Sequence, residues 1–203
     1  VARLLAGVLV ELGRNQEAML IYEQLLQDKV VPWAKLGLAK VYSNTGRQAE
    51  AERIMQGIVQ SNDMYVDAYD QLAAHYIQEG REKEAMEIIE KALKVTPHNL
   101  ERLQRAGQMA YRLGDNDKAR QFLEKAVAHG GNSSLLDARS VMYLAIACYA
   151  EGKHREADKM LHLLQGLVDA NADFGRKMLL DLTQAAKCWA TQKPDEAILT
   201  LNH

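Results

Sequence analysis

Apolar residues recur along the chain at three- and four-residue steps, in paired runs separated by short polar turns. In "YVDAYDQLAAHYIQEG" Val66, Tyr69, Leu72, Ala73 and Tyr76 make one stripe; in "REKEAMEIIEKALKVTP" Ala85, Ile88, Ile89, Ala92 and Leu93 make the next. Such steps put side chains on one face of an α-helix, so the two runs predict two helices facing a common seam. The short turn between them makes the unit a helical hairpin.

The punctuation repeats with the pattern. Gly13 precedes Ala18 by five residues, and Gly46–Ala51, Gly80–Ala85, Gly114–Ala119 and Gly152–Ala157 keep that spacing. Successive glycines are 33, 34, 34 and 38 residues apart, the mark of a repeat array. Glycine ends the first helix because it takes a left-handed conformation without steric cost. Alanine in the second helix lets two backbones approach closely. Pro97 closes the third unit, and Asn99 is placed to cap the helix that follows.

The longest interval carries four extra residues, assigned to "AHGGNSSLLD", where Ser133 or Ser134 is the expected cap of the next helix. Near the end, "KPDEA" places Ala197 40 residues after Ala157, with no glycine in the expected position. The pattern reads as five hairpins and a partial sixth. The expected fold is all-α, a right-handed superhelical solenoid of antiparallel helix hairpins running as one domain over residues 1–203.

The run Tyr69, Leu72, Ala73, Tyr76, Gly80, Ala85, Ile89, Ala92, Pro97 resembles the tetratricopeptide repeat, and Gly107, Gly114, Ala119 and Ala126 continue it one unit on. Trp33, Leu36 and Gly37 form a trio like that of the family, two residues late relative to Gly46. The resemblance implies a groove lined by the first helix of each hairpin. The side chains expected there are Lys40, Ser43 and Asn44 from the second unit and Asp67, Asp70, Ala74, Ile77 and Gln78 from the third. Gln104, Gln108, Tyr111 and Arg112 follow from the fourth, and Arg139, Met142, Ile146 and Tyr149 from the fifth. For Tyr111, Met142 and Tyr149 packing between units is the competing assignment.

Some members of the family clamp a peptide carboxylate with lysine, asparagine and arginine. Asp70, Ala74, Gln104 and Gln108 stand at the matching places, and aspartates repel a carboxylate. The expected partner is instead a helical or extended protein segment with apolar anchors and some basic residues.

A narrower resemblance concerns "YEQLL", "VPWAKLGLAK" and "AYDQLA", which look like the output region of bacterial receiver-tetratricopeptide response regulators. It implies a receiver domain before Val1 and a role in two-component signalling. Two alternatives stay open: an assembly factor or co-chaperone of a cell-envelope machine, and the regulatory array of a larger enzyme.

Charge narrows the partners. The chain holds 25 basic and 27 acidic side chains, a formal charge of −2, and so offers no positive field for nucleic acid or anionic lipid. No apolar run reaches the roughly 18 residues of a membrane span, and no export signal opens the chain; the expected location is cytoplasmic. Cys148 and Cys188 lie in apolar runs and are expected to be buried free thiols.

Candidate chemistry is sparse. His154, Asp158 and His162 share one side of a helix but span about two turns, too far for one ion, and are expected to form a solvated face. His75 and His98 have no nucleophile signature nearby. Phosphate loops, serine elbows and paired metal-binding cysteines are missing, so no cofactor and no catalysis are expected. "VARLLAGVLVELG" enters in mid-pattern and is apolar at Val1, Leu4, Leu5, Val8, Leu9, Val10 and Leu12. The expectation is a piece of a longer chain whose first helix docks on preceding sequence, on a receiver or on a second copy.

Overall fold

The computed structural model describes residues 1–28, 31–131, 133, 135–170 and 174–201. Among them twelve helices form six hairpins: α1 (Ala2–Glu11) with α2 (Asn15–Asp28), α3 (Pro32–Asn44) with α4 (Gln48–Ser61), and α5 (Val66–Gln78) with α6 (Glu82–Val95). Then come α7 (Leu100–Arg112) with α8 (Asn116–Gly130), α9 (Ala138–Ala150) with α10 (His154–Ala170), and α11 (Phe174–Ala190) with α12 (Pro194–Leu201). No strand occurs among the described residues. The fold is an all-α, tetratricopeptide-like array of hairpins.

Each hairpin closes by the same backbone device. Gly13, Gly46, Gly80, Gly114 and Gly152 have φ between 73° and 81°, and the residue after each donates its N–H to a carbonyl five residues earlier, as Arg81 does to Tyr76 at 2.8 Å. This satisfies carbonyls that the ending helix would leave orphaned. The sixth hairpin keeps the device without the glycine. Gln192 takes φ 61°, Lys193 donates to Cys188 at 2.9 Å, and Ala197 follows five residues on.

The alanines sit where the backbones meet. Ala18, Ala51, Ala85, Ala119 and Ala157 are all 0% exposed. Seven residues before each turn, the first helix presents a second small residue: Ala6, Ala39, Ala73, Gly107, Ala145 and Ala185, all buried. At Gly107 even a methyl group is too much, because a Cβ would collide with the Leu123 side chain and press on the Ala119 carbonyl at 3.3 Å.

Contacts divide the chain into two compact units, Val1–Val95 and Thr96–His203. In the first, Ala6, Leu9, Ala18 and Tyr22 of one hairpin pack with Ala34, Leu38 and Val41 of α3, and α4 packs on α5. In the second, α8 and α10 pack on the first helices of the hairpins that follow them, and Val141, Met142, Leu164, Val168 and Leu180 share one core.

Three local expectations meet the structure differently. Asn99 caps α7, its side chain accepting from the Arg102 N–H at 2.9 Å. The cap of α9 is Asp137, which accepts from Arg139. Ser133 instead accepts from Leu135 within the loop, because the helix starts five residues beyond it; Ser134 lies outside the described residues. The Trp33 offset does not shift α3, which has 13 residues like α5, α7 and α9 and ends two residues before its glycine.

Candidate partner-binding clefts

In the first unit a cleft of about 240 Å³ opens between α3 and α5, with Met55 of α4 at its base. Lys40, Ser43 and Asn44 come from α3, and Gln71, Ala74, His75 and Gln78 from α5. The same face of α3 also holds the neighbouring hairpin. The Lys40 ammonium donates to Glu11 of α1 at 2.6 Å, which holds the Glu11 carboxyl below its usual range, and Asn44 donates to Asn15 at 3.5 Å. Asp67 is exposed in the first turn of α5, while Asp70 is half-buried.

In the second unit the polar residues expected in a groove face the loop before α9. Gln104 is 7% exposed; its Nε2 donates to the Leu135 carbonyl at 3.2 Å and its Oε1 accepts the Asp137 N–H. Gln108 donates to the Asp137 carboxylate at 2.7 Å and to the Ser140 hydroxyl at 2.8 Å. Tyr111 stacks on Tyr143 with ring centroids 4.4 Å apart, and burial pushes its hydroxyl pKa up. Met142 is buried, whereas Arg112 and Arg139 are exposed.

A second cleft, about 580 Å³ and mostly apolar, lies between α9 and α11. Ile146, Tyr149 and Ala150 form one wall, Ala186, Trp189 and Ala190 the other, and His154 stands at the end. Trp189 is 70% exposed, an unusual state for the largest apolar side chain. The sequence reading missed it, since "KCWATQ" lies in the weakest repeat; its position three residues before the sixth turn is the signal that marks it as groove-facing.

The Tyr149 hydroxyl donates to Asp158 at 2.8 Å, and Lys187 of α11 reaches the same carboxylate oxygen at 2.8 Å. Burial, then the anionic neighbour, raises the Tyr149 pKa, while Lys187 and the Tyr149 hydroxyl hold Asp158 low. Asp158 is therefore an interhelical tie within the solvated face expected for it, its side chain still 44% exposed. His154 and His162 are exposed.

Cys148 is buried, and that burial raises its thiol pKa, which keeps it protonated and unreactive. Cys188 is half-buried, not buried as expected; its neighbour Trp189 points outward and leaves that end of α11 uncovered. Among the described residues no helix is long and apolar enough to cross a membrane.

Two family models described as tetratricopeptide repeat match the chain, at residues 32–56 and 76–140. The mouse (Mus musculus) "Interferon-induced protein with tetratricopeptide repeats 3" is 26% identical over 176 residues, 84% of this chain and 40% of that protein. The chain thus spans about 40% of the length of this curated relative. Among solved structures, MamA AMB-1 superposes with a TM-score of 0.65 at 20% identity, over 86% of this chain and 93% of that one. MamA from Desulfovibrio magneticus RS-1 gives 0.66 at 14% identity, over 85% and 96%. At these identities the likeness is one of fold. Period, fold and family matches converge on tetratricopeptide repeats at residues 32–56 and 76–140.

Proposed function

We propose that the chain is a non-catalytic protein-interaction scaffold, and that a partner segment bearing an apolar anchor docks in the cleft between α9 and α11. The observation that carries this reading is the exposed Trp189 facing Ile146 and Tyr149 across that cleft. Clefts that take peptide segments are apolar with a few polar groups at the rim, and His154 supplies such a group here. Aromatic anchors of this kind are typically worth about 2 kcal/mol or more when truncated.

A phage-displayed peptide library selected on the purified chain tests it. Selected peptides should share an aliphatic or aromatic anchor and lose roughly 30-fold in affinity or more against Trp189→Ala. Selections with no common anchor, or indifferent to that substitution, would contradict it.

The finer reading is that residues 1–203 act as one interaction module, cytoplasmic, forming the output region of a two-component response regulator. It rests on the resemblance carried by "YEQLL", "VPWAKLGLAK" and "AYDQLA". A receiver placed upstream would dock on α1, where Leu4, Leu5, Val8 and Leu12 are 50% to 76% exposed; a second copy of the chain is the competing occupant. A full switch between docked and released states needs a differential affinity of about 5.5 kcal/mol. Partner binding by the full-length protein should therefore change on phosphorylation, and unchanged binding argues against the switch while leaving the scaffold in place.

A further inference from the structure

Glu52 of α4, His75 of α5 and Glu79, the residue that caps the end of α5, each bring one potential ligand atom to within 4.8 Å of the others. His75 is 4% exposed, and neither of its ring nitrogens has a hydrogen-bond partner. A buried imidazole left unsatisfied on both sides is unusual, because buried polar groups are almost always paired. Its Nε2 lies 3.7 Å from the Glu79 carboxylate, too long for a hydrogen bond. Two ligands on a tetrahedral ion with bonds of roughly 2.0–2.1 Å stand about 3.3 Å apart, so a small closing rotation would bring the pair onto one metal.

The charges fit as well. Arg81 donates to Glu52 at 2.8 Å, to Glu79 at 3.1 Å and, through Nε, to Glu84 at 2.7 Å. Three carboxylates around one guanidinium leave two negative charges, which one divalent cation balances. Tyr76 and Gln56 donate to Glu52 at 3.0 and 2.8 Å and so hold that carboxylate in place, as outer partners of metal ligands do.

We propose that Glu52, His75 and Glu79 form a binding site for a divalent transition metal of the zinc type. An imidazole nitrogen with carboxylate oxygens suits such an ion and not magnesium or calcium, which take oxygen ligands alone. Arg81 is the competitor. It gives up Glu52 and Glu79 and keeps its fork on Glu84, where both Nε and a terminal nitrogen already bond. The bound ion ties α4 to the end of α5, joining the second hairpin to the third.

Isothermal titration of the chelator-treated chain with zinc chloride, alongside magnesium chloride, tests the site, with thermal melts as a second readout. One zinc per chain is expected, with a raised melting temperature and no response to magnesium. Glu79→Gln and His75→Gln should each weaken zinc binding by more than the roughly 10–100-fold typical of losing an outer-shell partner. If His75→Gln does not fold, Glu79→Gln decides. In the other unit His98 Nδ1 and His129 Nε2 lie 3.0 Å apart and could chelate zinc independently, so His129→Ala is the control and should leave the titration unchanged. Absent zinc binding, binding that survives Glu79→Gln, or binding lost in His129→Ala overturns the proposal.

Discussion

Gln104 of α7 accepts the backbone N–H of Asp137, the residue that caps α9, while its amide nitrogen donates to the Leu135 carbonyl at 3.2 Å. One buried side chain thus holds the start of the next hairpin by satisfying two loop groups that no helix serves. Gln104→Leu keeps the volume and removes both hydrogen bonds, at a cost of about 0.5–1.5 kcal/mol each, because Leu135 and Asp137 are exposed and water can take the lost place. Urea denaturation should show a lower midpoint with an unchanged slope; an unchanged midpoint would mean that the loop finds its partners elsewhere.

Gln192 occupies the left-handed position that glycine holds in the other five hairpins, at φ 61°. A side chain there costs roughly 1–2 kcal/mol, partly offset because glycine loses more freedom on folding. Gln192→Gly should therefore raise stability, by up to about 1 kcal/mol. Gly114→Ala, at φ 79° with open space around its Cβ, should lower it by about the same strain. Thermal melts of the two variants should move in opposite directions, and shifts of the same sign would refute the conformational argument.

The glycine and alanine positions were readable from the chain because each answers a local demand, a left-handed residue or a missing side chain, that few residue types meet. Asn99 as a cap was readable for the same reason. Asp137 was not, since Ser133, Ser134 and Asp137 are all competent caps and only packing onto α7 selects one. Gln104 and Gln108 share the helical face that carries groove residues elsewhere; the longer loop before α9 comes back over them and takes their hydrogen bonds. Likewise Glu52 meets His75 and Glu79 across more than twenty residues, a pairing that helical periodicity does not encode. Lys40, Asn44 and Gln78 do line one cleft together, because all three lie on first helices of adjacent hairpins.

Asp158 links α10 to both α9 and α11 through Tyr149 and Lys187. Lys187, then the Tyr149 hydroxyl, holds its pKa below the ordinary value, so the unfolded chain binds its proton more readily than the folded one. Its contribution to stability is complete above the ordinary aspartate pKa of about 3.9 and is lost as pH falls through the lower folded value. The stability difference between the chain and Asp158→Asn should be constant from neutral pH down to about pH 5 and shrink below it. A difference that stays the same at all pH values would show that the carboxylate charge does not matter.

The proposed docking surface is the face that the first helices present between α9 and α11. Hydrogen exchange on the chain with and without a selected anchor-bearing peptide reads that face directly. Protection confined to α9 and α11, and abolished by Trp189→Ala, is the predicted result; protection on α8 and α10 instead, or a footprint that survives the substitution, would contradict it.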